Sequence, residues 1–252
     1  ENGRVVPIPG KLFYRGIDLE DIVAGFQRED RHGFDETVFL LLTGYLPSKP
    51  ELDEFSAYMG SLRALPDEFT KDMILSMKGK DVLNILARSV LGLYILDDRP
   101  DDISLSNMIR QSLNLIAKFP TIVAYSYQAM RHLYKGRTLS IRHPDPELST
   151  AENFLYLIKG TTPSFTKLEA DLLDLMLVLH AEHGGGNNST FTMRVTSSTE
   201  TDIYSSVTSA IGSLKGPLHG GANLKVLEMM ENIKLNVKDW KDEDELKNYL
   251  LK

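Results

Sequence analysis

The chain contains no cysteine in 252 residues, which excludes a disulfide framework, a thiolate metal site and a cysteine nucleophile together and fits a reducing, cytoplasmic setting. Long apolar runs are missing too. None approaches the ~18 residues that would suggest a membrane span, and the densest, Leu172 to Leu179, is interrupted by Asp174. Neither sign of charge forms a run of five. The net charge of -7 comes from 35 acids and 28 bases spread along the chain, so no nucleic-acid or membrane partner is expected. Alternating β-branched stretches are nearly absent, and internal repeats and low-complexity tracts are lacking. The chain opens at Glu1 without an initiator methionine or a basic-then-apolar leader, which reads as a processed product or a piece of something longer.

Apolar residues make up 42% of the chain, enough for a substantial core, and they recur at helical spacing almost throughout. The periodicity predicts an all-α protein of about a dozen helices. They run from Asp18 as N-cap to about Gln27, over Phe34 to Leu42, Pro50 to Leu65, Pro66 to Met77 and Asp81 to Leu96. Ser104 to Lys118 reads as a helix ended by Pro120, with another from Thr121 to Tyr134 closed by Gly136. Arg137 to Leu148 reads as a long loop, after which Ser149 and Glu152 form a capping box for a helix to about Lys159. Lys167 to Leu179 is apolar on nearly all sides in its last two turns and is expected inside the fold. Asn188 to Thr196, Asp202 to Lys215, Ala222 to Ile233 and Asp242 to Lys252 complete the set, the last pair flanking a polar connector around Trp240.

Two polar blocks between these helices carry the chemistry: His180-Ala-Glu-His-Gly-Gly-Gly-Asn-Asn-Ser189 and Gly216-Pro-Leu-His-Gly-Gly-Ala-Asn223. They hold three of the six histidines among glycines, amides and a hydroxyl, as a site for a small oxygen-rich molecule requires. An anionic ligand would also need local positive groups, since the chain as a whole is acidic. His180 and His183 share a helical face, and three glycines after them let the backbone turn and approach a ligand. His180 reads equally as a packed core histidine. Asn187 and Asn188 add amide groups, and Ser189 adds a hydroxyl able to orient an imidazole. In the second block Pro217 cannot continue the preceding helix, and Gly220 and Gly221 leave the main chain bare beside His219. A helix N-terminus there favours a neutral imidazole, free to donate one hydrogen bond to a developing oxyanion; such a donor contributes about 3 kcal/mol to a transition state. The spacing is not that of a His-Glu-x-x-His zinc site, and neither block has the strand and lysine of a phosphate loop, so no metal is expected.

Taken together, the order His-x-x-His-Gly-Gly-Gly-Asn-x-Ser, a helix pair, then Gly-Pro-Leu-His-Gly-Gly-Ala-Asn resembles the citrate synthase family, which includes 2-methylcitrate synthases. Tyr14-Arg15-Gly16-Ile17 and Glu36-Thr37-Val38-Phe39-Leu40-Leu41-Leu42-Thr43-Gly44 look like the early part of that family's large domain. The resemblance implies a citrate synthase-like large helical domain over residues 1–218, with only the opening helices of the small domain over 219–252. It implies a Claisen condensation of acetyl-CoA with oxaloacetate, with acetyl-CoA (or propionyl-CoA) as co-substrate and no permanently bound cofactor. By the resemblance His219 binds the thioester carbonyl and stabilises its enol, Ser189 orients that imidazole, His183 binds oxaloacetate and Asn187 lies in the same pocket wall; His180, Gly220, Gly221 and Asn223 are further pocket candidates. The family's Gly-His-x-Val-Tyr segment, catalytic aspartate and carboxylate-binding arginines do not occur by Lys252, so the segment alone is expected to be inactive. The family also implies a homodimer. Two other functions fit these observations: a citryl-CoA-cleaving relative, and a non-catalytic dimerisation scaffold in which helices such as Asp81 to Leu96 pair across a two-fold axis.

Overall fold

The structure is a computed structural model that describes residues 8–77, 79–159, 165–182 and 184–251. Helices dominate it. In chain order they are α1 (Leu19–Arg28), α2 (Phe34–Thr43), α3 (Lys49–Ser61), α4 (Asp67–Phe69), α5 (Val82–Gly92), α6 (Leu105–Lys135), α7 (Thr150–Lys159), α8 (Lys167–Leu179), α9 (Asn188–Ser197), α10 (Ile203–Lys215), α11 (Gly221–Asn236) and α12 (Glu243–Leu250). Their starts follow from local chemistry, because the first amides of a helix have no intrahelical acceptor and a short polar side chain supplies one. Asp18 accepts from the Glu20 amide, Asp81 from Asn84, Asp202 from Ser205 and Asp242 from Asp244 and Glu245, while Thr166 and Glu169 form a reciprocal box at α8. The Ser149–Glu152 box opens α7, as the spacing of the two residues requires.

Four departures from the sequence reading have physical causes. Pro120 does not end a helix: α6 runs through it for 31 residues. Its flanks are pinned, with Lys118 Nζ donating to the Leu62 carbonyl at 2.8 Å, Thr121 Oγ1 donating to the Arg63 carbonyl at 2.9 Å, and Ile122 and Ala124 sealed in the core. Tertiary packing thus offsets the one amide that proline removes. The segment after Pro66 is a single α turn that widens into a π-helix over Thr70–Ser76, and the helix at Asp81 tightens to a 3₁₀ turn over Leu93–Leu96. A small antiparallel hairpin, β1 (Phe13–Tyr14) and β2 (Ile17–Asp18), precedes α1. It is too short to leave an alternating pattern in the sequence.

The fourth departure is α8. It buries Ala170, Asp174 and Val178, yet Leu168, Met176 and Leu172 are 67%, 56% and 52% exposed on its other side. A helix apolar all round needs cover on every side, and the described residues of this chain cover one side of it, through α2, α7 and the hairpin. The buried Asp174 interrupting its apolar run caps another helix: Oδ2 accepts from the Gly33 amide at 2.6 Å and Oδ1 from the Phe34 amide at 3.2 Å, at the start of α2. Tyr14 Oη donates to the Val178 carbonyl at 2.8 Å, fastening the hairpin to the same helix.

The main core lies between α5, α6, α7 and α10, around Ile74, Ile85, Val90, Ile122, Leu157, Tyr204 and Ile211. Because α5 turns Ile85, Leu86 and Val90 into it, that face is not available to pair with a second copy. A second cluster joins Tyr14, Leu19, Ile22, Phe26 and Leu40 to Val178 of α8. The loop after Gly136 has no helix, as its prolines require, and is held from within: Arg63 Nη1 donates to the Asp145 and Leu148 carbonyls and Tyr125 Oη to the Arg142 carbonyl. At the other end of the chain α11 and α12 expose nearly all their residues; Ile233 and Val237 are the buried ones among those described.

Candidate active site

The chemistry is held at the ends of a helix pair. α10 is anchored to the core by Tyr204, whose hydroxyl donates to Asp97 Oδ2 at 2.7 Å, and by Thr208, whose hydroxyl donates to the Ala87 carbonyl of α5 at 3.3 Å. Burial by itself would raise the Asp97 carboxyl, but the Tyr204 hydroxyl, the Arg99 amide, Gln111 and Arg110 all converge on it and hold it well below the usual carboxylate range. Burial and the neighbouring Asp97 in turn push the Tyr204 phenol up. α9 lies along α10 and is buttoned to it twice, by Thr196 Oγ1 and Ser209 Oγ at 2.9 Å and by Asn188 Nδ2 donating to Ser213 Oγ at 2.6 Å. The second contact ties the start of α9 to the end of α10, where the two blocks meet.

Asn187 is the N-cap of α9: its Oδ1 accepts from the Ser189 and Thr190 amides at 2.9 and 3.2 Å. With that backbone fixed, Ser189 is half-buried and its Oγ lies 2.8 Å from His219 Nε2. His219 sits in a turn closed on the Gly216 carbonyl, which accepts from the His219 amide at 3.0 Å and the Gly220 amide at 2.9 Å. Gly220 is then the N-cap of α11. A side chain there has no room, since a Cβ would fall 2.2 Å from the Leu214 carbonyl oxygen. The turn that delivers His219 is therefore packed directly on the last turn of α10.

Of the residues singled out in the sequence, the structure joins Ser189 to His219 and sets Asn187, Gly220 and Gly221 around them. His180 is not a core histidine: it is the exposed C-cap of α8, with Nδ1 2.7 Å from the Met176 carbonyl. Asn223 is exposed on α11, and His183 lies outside the described residues. Arg194, the only charged residue of α9, was not among the sequence candidates; its guanidinium lies over the glycine loop, with Nη1 3.2 Å from where a Cβ of Gly185 would be. Its isolation in a helix of otherwise uncharged residues is the signal that points to it. A hollow of about 1140 Å³ opens elsewhere, between α1, α2, α3 and residues 146–152, and neither block reaches it.

A serine hydroxyl bonded to one ring nitrogen leaves the other nitrogen of a neutral imidazole free and oriented, which is the arrangement of a positioned donor or acceptor for a carbonyl oxygen. The chain matches the family model described as citrate synthase, C-terminal domain, over residues 3–251. It belongs to the citrate synthase family. The citrate synthase of Deinococcus radiodurans is 40% identical, over 89% of this chain and 55% of its own length, and the 2-methylcitrate synthase of Shewanella oneidensis is 32% identical over 88% and 55%. The citrate synthase of Thermoplasma acidophilum, solved in ternary complex with carboxymethyl coenzyme A and oxaloacetate, superposes with a TM-score of 0.76 at 26% identity, covering 89% of this chain and 55% of that one. The chain thus spans about half the length of the curated relatives it matches. The all-α, citrate synthase-like architecture read from the sequence is the one observed.

Proposed function

We propose that the protein takes part in a citrate synthase-type condensation, with His219 as the donor to the thioester carbonyl oxygen and Ser189 as the group that orients it. The observation that carries this reading is the 2.8 Å contact between Ser189 Oγ and His219 Nε2, made between residues 30 apart in sequence. With the serine hydroxyl donating to Nε2, the single ring proton rests on Nδ1 and points to the developing enolate oxygen. A carboxylate base must remove the methyl proton at the same time, because an acyl-CoA methyl group is a very weak acid. The family's segment with that carboxylate has no match in these 252 residues, so residues 1–218 act as the large helical domain, 219–252 as the first helices of a small one, and the chain alone turns over too slowly to detect.

The substrates of this reading are oxaloacetate and acetyl-CoA, with propionyl-CoA kept as an alternative by the 2-methylcitrate synthase likeness. CoA enters as co-substrate and no resident cofactor is required. We place the protein in the cytoplasm as a homodimer. The exposed apolar stripe Leu168, Leu172, Met176 on α8, with Phe191 and Val195 on α9, supports a second copy as its cover. Among the described residues no helix is long and apolar enough to cross a membrane.

The test is CoA release from acetyl-CoA or propionyl-CoA with oxaloacetate, measured on the chain alone and on the chain joined to the rest of a family small domain. The joined protein is expected to turn over and to lose about 100-fold or more in kcat in His219→Ala. Robust turnover by the chain alone overturns its incompleteness, and full activity of His219→Ala overturns the role given to that residue.

A further inference from the structure

We propose that Asn188 and Ser213 are positioning residues, whose hydrogen bond sets the register of the two blocks and so holds the Ser189 hydroxyl on the His219 imidazole. The inference rests on the condensation reading above and extends it to a pair that acts through other residues.

The contacts close a ring. Asn188 Nδ2 donates to Ser213 Oγ at 2.6 Å, and Asn188 is followed directly by Ser189, whose Oγ lies 2.8 Å from His219 Nε2. From the other side, the Ser213 carbonyl accepts from the Gly216 amide at 3.2 Å, and the Gly216 carbonyl accepts in turn from the His219 amide at 3.0 Å. Ser213 therefore stands at the root of the turn that carries the imidazole, and Asn188 stands beside the hydroxyl that orients it.

Packing alone does not set the same geometry. α9 buries none of its residues, and Phe191 and Val195 are more than half exposed, so apolar contacts within this chain leave its tilt weakly fixed. Polar fastenings fix it instead. The far one joins Thr196 Oγ1 to Ser209 Oγ at 2.9 Å, roughly 11 Å from Ser189 along the helix axis. About that point a swing of about 5° carries Ser189 by about 1 Å, enough to take a 2.8 Å contact out of hydrogen-bond range. The Asn187 cap cannot prevent this, since its Oδ1 accepts from the Ser189 and Thr190 amides of the same helix. Only the near fastening, Asn188 on Ser213, spans the two helices at the site end among the hydrogen bonds of the described residues. Neither group is charged, so the link adds no field at the imidazole and its effect there is geometric.

The experiment reads the ring itself. Nitrogen chemical shifts of the His219 imidazole are measured in the unaltered chain, Asn188→Ala, Ser213→Ala, the double variant and Ser213→Thr, which keeps the hydroxyl, with helicity and melting followed in each. The unaltered ring is expected to hold one tautomer, with its proton on Nδ1. Either alanine variant should move both shifts toward the averaged values of free imidazole, the double variant no further than the single ones, and Ser213→Thr should restore the parental values. In the chain joined to the rest of a family small domain, either alanine variant is expected to lower kcat about 10-fold, with KM for oxaloacetate changed less than about two-fold. Unchanged ring shifts in Asn188→Ala and Ser213→Ala overturn the assignment and leave the condensation reading standing. Shifts that move only with loss of helix, or that move as far in Ser213→Thr, reduce the pair to helix packing and overturn it too. Moved shifts with kcat unchanged support the link to the imidazole and overturn the condensation role of His219 instead.

Discussion

Helices α5, α6, α7 and α10 spend their apolar residues differently from α8, α9 and α11. The first group turns Ile85, Val90, Ile122, Leu157 and Ile211 into one continuous core. The second group carries the candidate site at its ends and leaves Leu172, Met176, Phe191, Leu224 and Leu227 more than half exposed. The difference separates two tasks. The sealed group supplies the main core of the fold, while the open group holds His219 and Ser189 at its ends and leaves its other faces uncovered among the described residues. The same contrast appears in two buried carboxylates. Asp97 in the sealed group has four donors and is held well below the usual range. At Asp174, on α8, burial and the nearby Asp35 outweigh the Gly33 and Phe34 amides and His32, and its carboxyl is pushed up.

The largest expected effect comes from breaking the sealed group. Ile122 is fully buried in α6, so Ile122→Ala leaves a cavity in the core and is expected to cost about 3 to 4 kcal/mol in urea unfolding. A cost below 1 kcal/mol would mean that this core is loosely packed and that the contrast with α8 is false. The next effect falls where the two groups meet. Gly220→Ala drives a Cβ into the Leu214 carbonyl, which is backbone and cannot swing aside. It is expected to cost about 2 kcal/mol and to break the Ser189–His219 contact, read from the nitrogen chemical shifts of the His219 ring. Unchanged ring shifts would show that the turn delivers His219 without packing on α10.

A smaller effect tests the carboxylates by the sign of their pH dependence. A depressed carboxyl gives stability that is complete above its unfolded value of about 4 and is lost as pH falls through the folded value. The penalty of Asp97→Asn should therefore shrink on acidification below about pH 4. A raised carboxyl works in the opposite sense. As pH falls through the raised folded value of Asp174 toward about 4, the folded state takes up the proton first, and the unaltered protein gains on Asp174→Asn. Unfolding free energies of both variants between pH 7 and 3 should diverge from the parent with opposite slopes. Parallel slopes would remove the distinction between the two sites.

Much of this was legible from local chemistry. The caps at Asp18, Asp81, Thr166 and Asp202 and the box at Ser149 depend on neighbours within three residues, so the sequence states them directly. The convergence of Ser189 and His219 came from the order of two motifs and their resemblance to a family, and the structure supplies the distance. The remainder depended on residues far away in the chain. Pro120 reads as a helix end until Arg63 and Leu62, nearly 60 residues earlier, are seen to pin both sides of it. The apolar surface of α8 reads as interior because composition reports what must be covered without saying which chain covers it. Arg194 belongs to neither motif, and its place over Gly185 depends on how α9 folds back on its own loop.

The smallest effect sharpens the comparison most. Leu227 on α11 is 63% exposed and Leu224 64%, so Leu227→Lys and Leu224→Lys remove almost no burial from this chain. Each is expected to change its unfolding free energy by no more than about 0.5 kcal/mol. The same replacement in the sealed group would be ruinous, because it would bury an unpaired charge. If the leucines of α11 are silent in stability, their apolar character is kept for contacts made outside this chain's own fold, and solubility should rise as they become lysines. A cost above 1 kcal/mol would place α11 against the body of the protein in solution and move it, with the turn that carries His219, into the sealed group.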